Sequence, residues 1–508
     1  MRSPLLAAAA ALAGLVPASA ATPPPRAVFL APVVTCESLA TLTIANTVIT
    51  SAVTTPASGS VPATCRVHAV VAHPGAGDAV NIDVWMPIEG WNGRFQGLGG
   101  GGYAGGFPQA LADPVGQGYA AASTDTGHAG GDGGFALDAN GRLNWPLIRD
   151  FAYLGIHDMT VVGKAVTAAY FGRQPRFSYF NGCSTGGRQG LAEAQRYPDD
   201  YDGILSAAPA INWAGFIPAE FWPQLVMLTA NNFLPACKLV QFQQAAIRAC
   251  DTVGDGVADG VIGDPSRCGF DPRSQIGVAT PCGAITAQDA AVIEKIMAGP
   301  RSPDGGFLWY GLTPGTSFAA LAGASPFPIA LTHLGTWVQQ NPSWDWRTTT
   351  QSRFEQLFVQ SDEMFTTVIG TENADLSAFR RSGGKVLIWH GQADQLIFPQ
   401  GTVDYFGRVT EAMGGSGRTE QFARLFLAPG VAHCAGGLGP APDNPLNALI
   451  EWVERDRAPH VLDGVRRDPS GSIVQTRQIC PYPQIATYRG QGDPMNAASF
   501  TCRKSTAA

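Results

Sequence analysis

The chain reads as an α/β fold interrupted by a large insertion, and three observations lead there. Short apolar runs that suit buried strands alternate with segments of helical period at both ends of the chain. A G-x-S-x-G pattern, Gly182-Cys183-Ser184-Thr185-Gly186, stands between one such strand and one such helix. Glycines on either side of a serine suit a sharp strand-to-helix turn. Between about residues 212 and 375 the alternation stops, and Trp, Phe, Pro and Gly crowd in.

A length of 508 residues calls for two structural units or one enlarged domain. Only 14% of residues are charged, the net charge is −7 and no basic run occurs, so a nucleic-acid partner is not expected. Residues 1–20 read as a secretory signal peptide, with Arg2, an apolar stretch over 5–16 and the small-residue site Ala18-Ser19-Ala20. That stretch is too short to span a bilayer, and no later one is long and apolar enough, so no membrane association is expected. The mature chain is expected to begin at Ala21 and to be secreted or periplasmic. Ten cysteines in an exported chain point to disulfides.

Taken in order, residues 21–35 are a proline-rich lead-in, and Cys36 and Cys65 bracket a first segment in which they are candidates for a local pair. Ile82, Val84 and Met86 alternate as a strand stopped by Pro87. Phe95-Gln96-Gly97-Leu98 runs into Gly99-Gly100-Gly101-Gly102-Tyr103, whose bare backbone N–H groups are of the kind that supply an oxyanion hole. A small-residue strand over 119–123 leads to Asp125 and His128, expected to hold loops by hydrogen bonds rather than to act in catalysis. Met159, Val162, Val166 and Ala169 recur at helical spacing, predicting a helix over 156–170. Phe177-Ser178-Tyr179-Phe180 is the strand before Ser184, and a helix over 189–197 stops at Pro198.

Residues 212–375 are expected to form an inserted lid domain, leaving 21–211 and 376–508 as the catalytic unit. In the lid Trp309, Tyr310, Trp337, Trp344 and Trp346 are candidates for lining a pocket, most of them being lid core. The strand–helix rhythm resumes with Val386-Leu387-Ile388-Trp389, a continuous apolar run ending in His390-Gly391-Gln392-Ala393-Asp394. Leu425-Phe426-Leu427 leads into His433-Cys434. Pro445 then opens a helix with Leu446, Leu449, Ile450 and Val453 on one face.

A serine hydroxyl needs a base to take its proton and a carboxylate to orient that base. Ser184, Asp394 and His433 follow the nucleophile–acid–histidine order of the α/β-hydrolase fold. Asp404 is a rival acid in a helical-looking stretch. Cys183 precedes the serine and Cys434 follows the histidine, so a disulfide between them would tie the two loops together. A second site is suggested by Asp251, Asp255 and Asp259 among Gly254, Gly256 and Gly260. Such a loop suits a hard cation held by carboxylates and carbonyls, or it is a solvated acidic turn.

These motifs together resemble the tannase and feruloyl esterase family, which includes mono-hydroxyethyl terephthalate hydrolases. The likeness is carried by residues 99–103, 123–128, 182–190, 194–198, the Asp-Gly loop, 390–394 and His433-Cys434. The resemblance implies an α/β-hydrolase core with a large inserted lid and a Ser184, Asp394 and His433 triad. It implies the Cys183–Cys434 disulfide and an oxyanion hole from Thr185 and Gly102. It also implies calcium on the side chains of Asp251, Asp255 and Asp259 and the carbonyls of Val257 and Val261, and places His390 beside the substrate. Within that frame the remaining cysteines pair as Cys250 with Cys268, Cys237 with Cys282, and Cys480 with Cys502. The activity implied is that of a secreted serine esterase on esters of aromatic carboxylic acids. Esters of terephthalate or aliphatic acids are the alternative, and an inactive calcium-dependent binding protein is the alternative outside enzymes.

Overall fold

Apolar runs that stay buried along their whole length are what a parallel sheet covered on both faces requires, and they build the centre of this molecule. The computed structural model describes residues 30–504; the expected leader over 1–20 lies outside them. Among the described residues the main sheet comprises β1 (Thr47–Thr55), β2 (Thr64–Val71), β3 (Val80–Pro87), β4 (Arg94–Leu98), β5 (Ala120–Thr124), β6 (Phe177–Cys183), β7 (Gly203–Ala207), β8 (Lys385–Gly391) and β9 (Ala423–Ala428). Their order is β1-β2-β3-β5-β4-β6-β7-β8-β9. β1, β2, β3 and β5 pair antiparallel, and from β5 to β9 every pairing is parallel.

Successive residues of β8 go to opposite faces. Val386 and Ile388 join one core with the helix Gly155–Phe171, and Leu387 and Trp389 join another with Trp452 of the helix Pro445–Arg455. The helices predicted at 156–170 and after Pro445 are these two, and the helix after the serine is Thr185–Arg196. β1, β2 and the C-terminal strands were not anticipated. The latter are β10 (Ala441–Pro442), β11 (Leu462–Arg467) and β12 (Ile473–Ile479) in one small sheet, and the hairpin of β13 (Gln484–Tyr488) and β14 (Phe500–Lys504).

The insertion lies between β7 and β8 and is built on helices Trp213–Thr229, Ala236–Cys250, Ala287–Ala298 and Gln351–Ile369. Its Trp213, Phe221, Phe242, Ile293, Trp337 and Phe354 are buried together in a core that Tyr103, Phe151 and Phe398 of the flanking segments share. Disulfides join Cys36–Cys65, Cys183–Cys434, Cys237–Cys282, Cys250–Cys268 and Cys480–Cys502. No helix among the described residues is long and apolar enough to cross a membrane.

Candidate active site

Ser184 sits where β6 ends and the helix Thr185–Arg196 begins, with φ 64° and ψ −125°. A non-glycine residue in that conformation is strained, which turns the side chain out of the sheet edge. The turn is held by Ser184 N–H donating to Ala207 O at 3.0 Å and by Ala210 N–H donating to Ser184 O at 3.0 Å. Its glycines are there for close approach. A Cβ on Gly182 would meet the backbone of Gly186 at 2.5 Å, and one on Gly99 would meet the Gly186 Cα at 2.5 Å.

The four-glycine loop is thereby drawn against the nucleophile turn. Gly99 N–H donates to Asn181 O, Gly100 N–H to Gln189 Oε1 and Gly101 N–H to Ala104 O. The Thr185 hydroxyl donates to Gly102 O at 2.6 Å. Asp125 and His128 act as expected, as loop fasteners. Asp125 accepts from both nitrogens of Asn81 and from Gly127 N–H, and His128 Nε2 donates to Tyr103 O at 2.7 Å. Burial lowers the His128 pKa, which keeps the ring a neutral donor.

Asp394 follows β8 and is fully buried. Its Oδ1 accepts the N–H groups of Leu396 and Ile397 at 2.8 and 2.9 Å, and its Oδ2 faces His433 Nδ1 at 2.8 Å. Burial pushes the Asp394 carboxyl up, but the charge of His433 and hydrogen bonds from His390 and His433 outweigh it and hold the group below the usual carboxylate range. Asp404 is elsewhere, in the helix Pro399–Ala412, paired with Arg408 at 3.0 Å.

His390 lies on the far side of the acid from His433. The ring is fully buried and does not line the cleft at Ser184. Its Nε2 lies 3.0 Å from Asp394 Oδ2, and its Nδ1 lies 2.8 Å from the Thr402 hydroxyl. Both nitrogens are thus engaged, and His390 helps to position Asp394.

Ser184, Thr185, Gly102 and His433 line one narrow cleft. Its walls are Trp213, Phe216 and Ile217 from the first insertion helix, Phe327 and Ile329 from later in the insertion, and Leu396. The lid aromatics singled out from sequence are not part of it. Trp337 and Trp346 are buried, and Trp309, Tyr310 and Trp344 pack against the same lid core. One polar wall residue had no motif to announce it: Glu220, buried to 2% exposure. The visible signal was that Glu220 is the one charge in Trp213–Thr229.

The Asp-Gly loop follows the helix Ala236–Cys250. Asp251 Oδ1 accepts Asp259 N–H and Gly260 N–H, while Asp255 and Asp259 face Arg477 at 2.8 and 2.5 Å. The donor set is all oxygen, and three carboxylates stand against one guanidinium. An all-oxygen donor set suits a hard divalent cation, but Arg477 holds one oxygen each of Asp255 and Asp259, and these three carboxylates are not among the described groups gathered closely enough to share an ion.

Comparison with known proteins agrees with this geometry. Residues 65–366 and 329–503 match the family described as "Tannase and feruloyl esterase". The "Probable feruloyl esterase" of Arthroderma benhamiae is 41% identical over 474 residues, covering 88% of each chain. An uncharacterized esterase of Xanthomonas campestris pv. campestris is 31% identical, covering 92% of this chain and 91% of the relative. The crystal structure of feruloyl esterase B from Aspergillus oryzae superposes with a TM-score of 0.82 at 28% identity, over 92% of this chain and 99% of that one. Tannin acyl hydrolase from Aspergillus niger does so with a TM-score of 0.82 at 25% identity, over 91% and 92%. The likeness thus runs across nearly the whole length of related chains, and this chain belongs to the tannase and feruloyl esterase family.

Proposed function

We propose that the chain is a carboxylic ester hydrolase that cleaves esters of aromatic carboxylic acids through an acyl-enzyme on Ser184. The observation that carries this reading is that Ser184 and His433 open on one cleft while His433 Nδ1 is held by Asp394 at 2.8 Å. Ser184 Oγ attacks the ester carbonyl as His433 Nε2 takes its proton. The N–H groups of Thr185 and Gly102 receive the oxyanion. Collapse breaks the C–O bond, and the departing alcohol takes the proton from His433. Water, deprotonated by the same histidine, then releases the acid and regenerates the serine. Asp394 keeps the imidazole in the tautomer with hydrogen on Nδ1 and stabilises its protonated form. The apolar walls suit an aromatic acyl group.

A fluorophosphonate probe is expected to label Ser184 stoichiometrically, located by peptide mass spectrometry. Methyl ferulate and methyl gallate are expected to be hydrolysed faster than a terephthalate monoester or an aliphatic ester. An unlabelled serine would count for a binding protein, and a preference for aliphatic esters against the aromatic reading. Ten paired cysteines and the absence of a membrane-spanning helix among the described residues support an exported location.

Calcium belongs to the same proposal. The carboxylates of Asp251, Asp255 and Asp259 and the carbonyls of Val257 and Val261 would hold it, and bound there it stiffens the loop without entering the reaction. Adding calcium to chelator-treated protein is expected to raise the unfolding temperature, by about 2.7 kcal/mol of stability at a hundredfold excess over Kd. A melting curve indifferent to calcium and chelator would remove the metal from this reading.

A further inference from the structure

We propose that Glu220 sets specificity by hydrogen-bonding a hydroxyl on the aromatic ring of the acyl group. This rests on the esterase reading of the cleft and names a determinant within it. Glu220 comes from the helix Trp213–Thr229 and shares the cleft with Ser184 and His433, amid Trp213, Phe216, Ile217 and Leu396. Among the described residues its Oε2 is buried without a hydrogen-bond partner. Leaving such a group unpaired costs about 1–3 kcal/mol. Nothing in the fold recovers that cost, whereas a bound hydroxyl would.

Burial, with Asp394 adding to it, raises the Glu220 carboxyl well above its ordinary range. That shift favours the neutral acid, which has one O–H to give and a carbonyl oxygen to receive. A phenolic hydroxyl has the matching pair, one donor and one acceptor. A site made this way rejects the analogue lacking the hydroxyl, because its own polar group is then stranded.

The experiment compares methyl 4-hydroxycinnamate with methyl cinnamate on wild type, Glu220→Leu, Glu220→Met and Glu220→Gln. Leucine and methionine are expected to lower kcat/KM for the hydroxylated ester about tenfold to a hundredfold. Methyl cinnamate is expected to change several-fold less, so that the ratio between the two esters collapses, and glutamine, which can still give and receive, to preserve most of the preference. The unfolding temperature of the leucine and methionine variants is expected to hold or rise, since an unpaired buried carboxyl is removed. Equal losses on both esters, or no loss on either, overturn the proposal; equal losses with a lower unfolding temperature make Glu220 structural. Two substitutions of different shape keep the comparison alive if one fails to fold. Wild-type protein inert on both esters would instead overturn the esterase reading itself.

Discussion

Ser184→Ala is expected to lower kcat on methyl ferulate by roughly 10⁴- to 10⁶-fold, the range seen when a triad serine is removed from a serine protease. The loss is in the chemical step, because the ring and the ester carbonyl bind against walls that the substitution leaves in place. What remains is whatever rate the Gly102 and Thr185 N–H groups give to a direct attack by water. Folding is expected to survive. Alanine has the same Cβ as serine, so the strain of φ 64°, ψ −125° is unchanged, and the turn is held by backbone hydrogen bonds through Ala207 and Ala210. The measurement is kcat alongside thermal unfolding of both proteins. An inactive variant that melts with wild type is the expected pair of results; a variant that still turns over the ester would end the case for a serine nucleophile.

Local signals made much of this site legible. Ser184 is announced by glycines that β6 and the following helix need for close approach. Asp394 and His433 follow apolar runs that are buried strands because helices cover both their faces. Legibility ends where position is decided by packing between distant segments. The helix Trp213–Thr229 carries Pro218 and Pro223 and is buried on nearly every side, so it shows no amphipathic period to read. It nevertheless supplies Trp213, Phe216, Ile217 and Glu220 to the cleft wall. His390 shows the converse. Its motif is plain, but only the fold reveals that Thr402, twelve residues on, takes one ring nitrogen while Asp394 takes the other. The edge strand β1 is largely exposed and rich in Thr, which is why it left no apolar run to notice.

Removing the bridge between the two catalytic loops should separate stability from geometry. In the double variant Cys183→Ala/Cys434→Ala, made double so that no free thiol remains, both are expected to change. The bridge spans 251 residues, so on the chain-entropy view it constrains the unfolded state by about 5 kcal/mol. The same bond fixes the loop that carries the base. Beyond it, His433 is anchored by its N–H on Gln395 Oε1 at 3.1 Å and by its ring on Asp394, and the turn closes through Ala432 N–H on Gly436 O at 3.1 Å. Those contacts orient the imidazole towards its acid, but they do not fix its distance from Ser184; the sulfurs next door do. A misplacement of about 1 Å between reacting groups costs on the order of a hundredfold in rate. The double variant is therefore expected to lose about that factor in kcat with little change in KM, even at temperatures where it is fully folded. Reducing the bond in the wild-type protein is expected to do the same. A double variant that melts early yet keeps wild-type kcat while folded would show that His433 reaches Ser184 without the bridge, and would confine the bridge to holding the chain together.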